Sequence, residues 1–276
     1  MNLLEFPAWK NGEYCTVKDL NISVLDLGLI HCDATYDVLA VRQGIIHNFD
    51  SHIERLMQSA NGWRLPLLYT QNELKTVIET LVDKSSYDNL LVWIGLTRGI
   101  PTSGNPRDLV NCTTNVFVYT KPYFGFNKNN SATVCLAKNV YRTPDDSINQ
   151  LHKNFAWNDL TKAQWEAIDR GFDTAILATR EGLITEGVGF NLGIISENNI
   201  FAPKLNRLEG TVMNLVRDLC TKNKTEFKYV DMRVDDILNA DAMFLTSTAG
   251  NVIPVTKFEN KLFEDNKTLI WLMNNI

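Results

Sequence analysis

The 276-residue chain lacks several features that mark whole classes of protein. Its five cysteines are odd in number, widely spaced and without a C-x-x-C pair, so the sequence indicates neither a disulfide framework nor a zinc site. An excess of positive charge is also absent, because 27 basic and 32 acidic side chains give a net charge of -5. Proteins that bind a phosphate backbone usually carry a basic patch and net positive charge, so we predict no nucleic-acid partner.

Long apolar runs and targeting segments are absent as well. The longest apolar stretches, such as NLLVWIGL at residues 89–96, are strand-sized and far short of the roughly 20 residues that cross a bilayer. The N-terminus has no basic start followed by an apolar core and a small-residue cleavage site. We therefore expect a cytoplasmic protein with no membrane partner.

Common catalytic and nucleotide-binding signatures are also missing. The glycines of GVGFNLG at residues 187–193 are spaced one residue too widely for the dinucleotide fingerprint, and no helical pattern follows them, so we reject NAD binding. The chain contains no G-x-x-x-x-G-K-S/T, G-x-S-x-G or H-E-x-x-H sequence. Phosphate-loop, serine-hydrolase and zinc-protease functions therefore have no support.

What the chain does contain is apolar material in alternating strand-like and helix-like segments. Hydrophobic residues make up 45% of it, enough to bury a sizeable core. Short apolar runs predict strands at residues 22–26, 38–41, 90–96, 116–119, 133–136, 174–178, 189–195 and 242–245. Apolar positions at helical spacing predict helices over residues 53–60, 74–81, 160–168, 212–219 and 269–273. Thr70 and Glu73 have the spacing of a capping box before the second helix.

Mixed strands and helices of this kind predict an α/β (or α+β) protein, and we divide it into two domains. A small N-terminal α/β domain would cover residues 1–120. A polar, glycine-bearing interdomain loop would follow at residues 121–131, and a larger C-terminal α/β domain would cover residues 132–276.

Two segments look suited to an anion. Gly210 stands before a helical pattern that starts at Thr211 and Val212, so N–H groups and the positive end of the helix dipole would converge there. Ser247 and Thr248 follow the predicted strand 242–245 and offer two hydroxyl groups. Each segment alone is more often an ordinary helix cap or turn, and a ligand phosphate would need both.

Five parts of the chain share their order and spacing with a known set of motifs. They are HCDATYDV with HIERL after it (residues 31–38 and 52–56), LHKNFAWNDLTK (151–162), TEGVGFN (185–191), LEGTV (208–212) and TSTAG (246–250). From about residue 22 to about residue 255 the chain resembles the fold-type IV pyridoxal-phosphate enzymes, the family of branched-chain and D-amino-acid aminotransferases. The first segment, Trp157 and TRG at residues 97–99 are most similar to (R)-selective amine:pyruvate transaminases and D-amino-acid aminotransferases, and branched-chain aminotransferases are slightly less similar. The resemblance implies the two-domain fold of that family and pyridoxal 5'-phosphate as cofactor.

The resemblance also implies roles for individual residues. Lys153, in the C-terminal domain, would be the catalytic residue that forms a Schiff base with the cofactor and then moves a proton between substrate and cofactor. Glu186 would keep the pyridine nitrogen protonated through a charge-assisted hydrogen bond. Further cofactor contacts would come from the backbone of Thr211 and Val212 and from the hydroxyl groups of Ser247 and Thr248.

At Arg55 the helical pattern and the resemblance disagree. At about 100° per residue, Arg55 lies about 200° from Ile53, opposite the apolar stripe, so the pattern alone predicts an exposed arginine. The resemblance makes Arg55 the arginine that binds the cofactor phosphate, a group that a guanidinium fits well. We follow the resemblance.

A substrate pocket is implied in the same way. Arg98 would pair with the carboxylate of an amino or keto acid, and Tyr36 would hydrogen-bond near the bond between lysine and cofactor. The other candidates are His31, Trp93, Trp157 and Ala249, although aromatic residues in strands are more often simple core.

Three positions depart from the family pattern. Val212 stands where threonine is usual, which removes one hydroxyl from the phosphate site, and Met213 stands where arginine is common. Trp93 stands where several amine transaminases carry an acid, which bears on amine specificity.

Together these inferences predict a pyridoxal-phosphate-dependent aminotransferase. It would move an amino group between an amino acid or (R)-amine and an α-keto acid such as pyruvate by a ping-pong mechanism. The resemblance further implies a homodimer whose partner subunit helps to line the active site. Two alternatives stay open: a lyase resembling aminodeoxychorismate lyase, and a non-enzymatic descendant that keeps the fold as a binding module.

Overall fold

The computed structural model describes residues 2–125 and 129–276, and the chain divides into two compact units. The first unit comprises Met1–Phe124 with His152–Ala156, and the second comprises Gly125–Leu151 and Trp157–Ile276. Residues 126–128 of the predicted interdomain loop 121–131 lie outside the described residues. The sequence placed Lys153 in the C-terminal domain, whereas the structure groups it with the first unit, because its peptide hydrogen-bonds to side chains there.

The first unit contains a six-stranded antiparallel sheet. Its elements in chain order are β1 (Pro7–Lys10), β2 (Glu13–Thr16), α1 (Leu27–Ile30), β3 (Ala34–Arg42), β4 (Ile45–Ile46), α2 (Phe49–Gly62), α3 (Gln71–Asp83), β5 (Leu90–Pro101) and β6 (Cys112–Pro122). The strands lie in the order β2-β1-β6-β5-β3-β4. β3 and β5 are aligned from Ala34 opposite Thr97 to Val41 opposite Leu90.

Helices α2 and α3 bury their apolar stripes in the core of this unit. Ile53 and Leu56 of α2 and Leu74 of α3 are fully buried there, against residues of β3, β5 and β6. The capping box is present, because Thr70 Oγ1 accepts from the N–H of Glu73 and the Glu73 carboxylate accepts from the N–H of Thr70. Both helices that the apolar spacing predicted are therefore confirmed.

The second unit contains a mixed sheet with helices. Its elements are β7 (Ala132–Leu136), α4 (Asn158–Asp169), β8 (Thr174–Ala178), β9 (Ile184–Gly187), β10 (Asn191–Ser196), β11 (Asn199–Pro203), α5 (Thr211–Lys222), β12 (Phe227–Val230), α6 (Val234–Asn239), β13 (Ala242–Ser247), β14 (Asn251–Phe258), β15 (Lys261–Leu262) and α7 (Lys267–Asn275). The strand order is β12-β11-β10-β13-β14-β7-β8-β9, with β15 paired to β14. The pairs β11–β12, β14–β7 and β7–β8 are parallel, and the other pairs are antiparallel.

Central strand β13 is buried on both faces. Met243 and Leu245 pack into one hydrophobic cluster, while Phe244 packs into another with residues of α5 and α7. This alternation follows from the two-residue period of a strand, and it explains why the run 242–245 is continuously apolar. The two units together confirm the predicted α/β (α+β) class.

One predicted strand has another structure, and most of the others have different bounds. Residues 22–26 form a loop that ends at Asp26, whose buried carboxylate caps α1 by accepting from the N–H of Gly28 and also accepts from the Thr97 hydroxyl. β5 continues beyond residue 96 to Pro101. It does so through Gly99 at φ +82°, where a Cβ would lie 1.7 Å from the carbonyl oxygen of Thr113.

In the described part of the chain, none of the helices combines the length and the apolar character needed to span a membrane.

Candidate active site

Lys153 lies in a segment without helix or strand, held by side chains of the first unit. Its backbone N–H donates to Ser59 Oγ of α2 at 3.0 Å, and its carbonyl oxygen accepts from Thr35 Oγ1 of β3 at 2.6 Å. Its Nζ lies over the ring of Tyr36, 4.5 Å from the centroid. The predicted catalytic lysine therefore has a fixed peptide and an amine placed on an aromatic face.

Tyr36 belongs to a row of stacked rings. Trp93 stacks on it with centroids 4.7 Å apart and planes 4° apart, and Phe155 stacks on it at 5.0 Å. Tyr119 continues the row at 6.0 Å from Trp93. The buried indole N–H of Trp93 has no hydrogen-bond partner among residues 2–125 and 129–276. Two predicted substrate residues, Tyr36 and Trp93, are thus in contact with each other, and Tyr36 also contacts Lys153.

Arg55 is buried, so the expectation from helical periodicity alone is wrong. It is 7% exposed, and its Nε and Nη2 donate to Oδ2 and Oδ1 of Asp37 at 2.8 Å each. Asp37 is fully buried on β3 and also lies 2.8 Å from His52 Nδ1. The polar side of α2 therefore meets a buried carboxylate of β3 rather than water.

The three side chains of this cluster set one another's charge. Burial would raise the pKa of the Asp37 carboxyl, but Arg55 and His52 hold it well below its usual range. At His52 burial dominates over the attraction of Asp37 and lowers the pKa of the imidazole. At Arg55 burial is more than offset by Asp37, which raises the pKa of the guanidinium. The cluster is a buried ion pair beside a neutral imidazole.

Arg98 is also buried, but its guanidinium is engaged within the first unit. Nε and Nη2 donate to the two carboxylate oxygens of Asp33 at 2.8 and 3.0 Å, and Nη1 and Nη2 donate to the carbonyl oxygens of Arg64 and Trp63 at 2.6 and 2.8 Å. A guanidinium binds a carboxylate through two parallel N–H groups. In Arg98 the pair formed by Nε and Nη2 already binds Asp33, so it is not available to a substrate carboxylate. These contacts do not support the predicted role of Arg98. His31, the remaining candidate of this unit, is exposed at the end of α1.

Glu186 of β9, in the second unit, belongs to a buried cluster of charges. Its Oε1 accepts from Nε and Nη2 of Arg142 at 3.0 and 2.8 Å, and its Oε2 accepts from the N–H of Leu208 at 2.9 Å. Arg142 Nη1 also donates to Asp159 Oδ2 at 2.6 Å. One guanidinium and two carboxylates leave this cluster with one net negative charge, which suits a cationic ring nitrogen.

Arg142 is a residue of this cluster that sequence reasoning missed. It is 5% exposed and lies in the loop between β7 and α4. Burial would lower the pKa of its guanidinium, but Glu186 and Asp159 raise the pKa above its ordinary value. A single arginine in a loop has no periodicity and no motif, so its position beside Glu186 becomes visible only in the folded chain.

The first predicted anion segment is the start of α5. Gly210 is the N-cap of α5 and, having no side chain, makes no side-chain cap hydrogen bond. A Cβ at Gly210 would lie 1.9 Å from Asn191 Oδ1, so a larger residue there would displace the buried side chain of Asn191. Asn191 Nδ2 in turn donates to the carbonyl oxygen of Leu208 at 2.9 Å, which anchors the loop before the helix.

The second predicted anion segment is the turn after β13. Ser247 Oγ accepts from the N–H of Gly250 at 3.0 Å, and Thr248 and Ala249 lie between them. The hydroxyl of Thr246 is buried and has no hydrogen-bond partner in the described part of the chain. Buried polar groups are nearly always hydrogen-bonded, so an unpaired one beside this turn is consistent with a polar ligand.

Trp157, the last predicted substrate residue, packs within the second unit. It lies just before α4, against the hydrophobic cluster of α4 and β8. A Cβ at Gly189 would approach the edge of its ring to 2.9 Å.

The sequence profile of the family described as amino-transferase class IV matches residues 34–258 of this chain. The chain belongs to the class IV aminotransferases.

Relatives of this class IV aminotransferase match nearly its whole length. A putative branched-chain-amino-acid aminotransferase from Methanocaldococcus jannaschii is 24% identical over 261 residues, which cover 93% of this chain and 89% of that protein. A D-alanine aminotransferase from Bacillus licheniformis is 27% identical over 254 residues, which cover 91% and 88%.

Solved structures of aminotransferases share its fold. The branched-chain aminotransferase from Thermoproteus uzoniensis superposes with a TM-score of 0.90 at 18% identity, over 98% of this chain and 92% of that one. The pyridoxal-phosphate form of the Thermobaculum terrenum enzyme gives a TM-score of 0.88 at 18% identity, over 99% and 93%. The predicted fold type IV is confirmed.

Class IV aminotransferases use pyridoxal 5'-phosphate, and the described residues fit this cofactor. Its aldehyde requires an amine, which Lys153 has, and its ring nitrogen requires a carboxylate, which Glu186 has. Its phosphate requires N–H and O–H donors, and the start of α5 after Gly210 and the unpaired hydroxyl of Thr246 offer groups of both kinds. The chain is a pyridoxal-phosphate-dependent aminotransferase.

Proposed function

We propose that this enzyme moves an amino group between an amino acid and an α-keto acid such as pyruvate in a ping-pong reaction. The relatives are named as branched-chain-amino-acid and D-alanine aminotransferases, which favours amino acids as donors. The likeness to (R)-selective amine transaminases rests on sequence motifs alone, so (R)-amines are the second class of donor to test.

Lys153 is the proposed catalytic residue. The bound cofactor supplies an electron sink for the charge that develops at the substrate Cα. Lys153 Nζ would hold the cofactor covalently and, once a substrate amine has taken its place, would move the proton from the substrate Cα to the cofactor. The ring of Tyr36, 4.5 Å from Nζ, limits where the amine can go.

The observation that carries the proposal is the geometry of Glu186. Two bonds from Arg142 and one from the N–H of Leu208 hold its carboxylate, and Oε2 can still accept a second bond. With Asp159 included, the cluster has one net negative charge, so Glu186 favours a protonated ring nitrogen. A protonated ring attracts electrons strongly, as amino transfer requires.

The phosphate is assigned to residues of both predicted anion segments and to Arg55. Arg55 would contribute a buried guanidinium that Asp37 orients through Nε and Nη2 and whose charge Asp37 balances. The backbone N–H groups of Thr211 and Val212 would donate to the phosphate, together with the hydroxyl groups of Ser247 and Thr248. We assign the unpaired hydroxyl of Thr246 to the phosphate as well, in place of the hydroxyl that Val212 lacks.

Tyr36 and Trp93 are the substrate contacts that we propose with structural support, because they stack on each other and Tyr36 also contacts Lys153. His31, Trp157 and Ala249 stay predictions from the resemblance.

We also propose a homodimer in the cytoplasm. In support of a subunit interface, four apolar side chains that are close in sequence in the first unit are exposed, from 49% to 74%: Val24, Leu25, Leu29 and Ile30. Exposed apolar groups of this kind mark surfaces that bind protein.

A donor panel tests the proposed function. The purified protein with added cofactor receives pyruvate and, in separate reactions, D-amino acids, L-amino acids including the branched-chain ones, and (R)-amines, and alanine formation is measured. We expect amino transfer from at least one class of amino acid. Transfer from (R)-amines alone would change the substrate class, whereas elimination without transfer would identify the lyase alternative. Protein that stays colourless with added cofactor and transfers nothing would identify the non-enzymatic alternative.

A further inference from the structure

We propose that Thr35 and Ser59 are positioning residues that fix the peptide of Lys153 and thereby the place of its amine. This inference rests on the proposed role of Lys153. None of the motif roles includes either residue.

The two hydroxyl groups bind the backbone of Lys153 on both sides. Thr35 Oγ1 donates to its carbonyl oxygen at 2.6 Å, and Ser59 Oγ accepts from its N–H at 3.0 Å. Thr35 and Ser59 are both fully buried, so water does not compete for these bonds. In a segment without helix or strand, backbone polar groups need such partners, and here side chains from β3 and α2 provide them.

The residues next to Lys153 are held as well. The ring of His152 lies against Gly62 at the end of α2, so closely that a Cβ there would be 2.3 Å from the imidazole. Phe155 stacks on Tyr36. The backbone around Lys153 therefore has little freedom, and the position of Nζ depends mainly on the side-chain torsions.

The same two elements hold the proposed phosphate ligand. Ser59 follows Arg55 by four residues on α2, and Thr35 precedes Asp37 by two residues on β3. Positions four apart on a helix share a face, as do positions two apart on a strand. The pair of bonds to Lys153 and the Arg55–Asp37 ion pair therefore lie on the same two faces. Since the aldehyde and the phosphate of the cofactor are a fixed distance apart, this shared frame sets the spacing that Nζ and the guanidinium must match.

Loss of either hydroxyl frees this peptide. It leaves a buried N–H or C=O group without its partner and lets the peptide move to find another. A displacement of about 1 Å in a reacting group can cost about a hundredfold in rate. The chemical step should therefore suffer more than the affinity for the cofactor, most of whose proposed contacts lie elsewhere.

The test compares four variants of the holoenzyme. Thr35→Val and Ser59→Ala remove one hydroxyl each, and Thr35→Ser restores the hydroxyl at the first position. The matched control is Thr120→Val, because Thr120 is also fully buried in the first unit and donates to a backbone carbonyl, that of Pro7 at 3.2 Å. The readouts are the cofactor dissociation constant, the pH midpoint of the visible band of the lysine-bound cofactor, and the single-turnover rate with an amino donor.

For Thr35→Val and Ser59→Ala we expect a shifted pH midpoint and a rate about 10-fold to 100-fold lower, with the dissociation constant changed less than about threefold. Thr35→Ser and Thr120→Val should match the wild type in all three readouts. Unchanged midpoints and rates in Thr35→Val and Ser59→Ala, or equal changes in Thr120→Val, would overturn the inference. If Thr35→Val does not fold, Ser59→Ala decides alone. A wild-type protein without the visible band would refute the proposed function itself.

Discussion

Substitution of Asp37 is the most demanding test of the buried ion pair. Asp37→Asn keeps the size of the side chain and one acceptor oxygen, but removes the negative charge that faces Arg55. Asp37 is fully buried and Arg55 is 7% exposed, so water cannot replace the lost charge. The variant therefore leaves a buried cation without its counter-charge.

The expected loss follows from this burial. Removing one partner of a buried ion pair costs about 3–5 kcal/mol, and the remaining acceptor oxygen places Asp37→Asn near the lower figure. For a chain of this size, that corresponds to a fall of roughly 6–12 °C in the midpoint of thermal unfolding. If Arg55 faces the phosphate, saturating cofactor should raise the midpoint of the variant more than that of the wild type, since the phosphate is a second anion for the same guanidinium.

Thermal unfolding of the cofactor-free and cofactor-saturated protein measures both effects. Asp33→Asn is the matched control, because Asp33 pairs with Arg98 through two bonds of similar length but its side chain is 18% exposed. We expect a smaller loss in this control and the same gain from cofactor as in the wild type. The reasoning is refuted if Asp37→Asn costs less than about 1 kcal/mol, the value of an exposed pair. An ordinary or smaller gain from cofactor in Asp37→Asn would refute the assignment of Arg55 to the phosphate.

Two further predictions concern the start of α5 and the effect of pH. Gly210→Ala should weaken cofactor binding by about tenfold or more, equivalent to about 1.4 kcal/mol, because its Cβ would lie 1.9 Å from Asn191 Oδ1 and displace that side chain. Fluorescence titration with the cofactor measures this affinity. The control is Gly193→Ala, which disturbs the core of the same unit and should lower stability without a comparable loss of affinity. The lowered pKa of His52 means that the unfolded chain takes up a proton near pH 6.5 while the folded chain does not, so stability should fall as the pH decreases below that value, and further below about pH 4 through Asp37. In His52→Gln the midpoint of thermal unfolding should change less between pH 7.5 and pH 5.5 than it does in the wild type. An equal change of the midpoint in both proteins would contradict this prediction.

Periodicity predicted the helices well and the strands unevenly. The stripes through Ile53 and Leu74 and the capping box at Thr70 are local signals, and α2 and α3 follow them. Strands depend on partners that are distant in the chain. Among the strands that were missed are β1, β2, β9, β11, β12, β14 and β15. β14 illustrates the reason, because Pro254 interrupts a run whose register is fixed by pairing with β13 and β7.

The residues of the site also divide into those that local motifs predict and those that depend on contacts between distant parts of the chain. The motif resemblance led to Lys153 and Glu186, whose surroundings suit their roles. Arg142 could not be found, because its place beside Glu186 depends on how the loop after β7 folds back over β9. Arg98 was predicted to bind the substrate because the sequence does not show that Asp33 already pairs with its guanidinium.

The most direct test of the account is chemical trapping at Lys153. The holoenzyme is reduced with borohydride, digested and analysed by mass spectrometry, in parallel with Lys153→Ala and with Lys162→Ala as a control on α4, and amino transfer to pyruvate is measured for all three proteins. We predict a reduced pyridoxyl group on the peptide that contains Lys153 in the wild type and in Lys162→Ala, and neither that modification nor amino transfer in Lys153→Ala. A modification at another lysine, or amino transfer that persists without Lys153, would contradict the central claim.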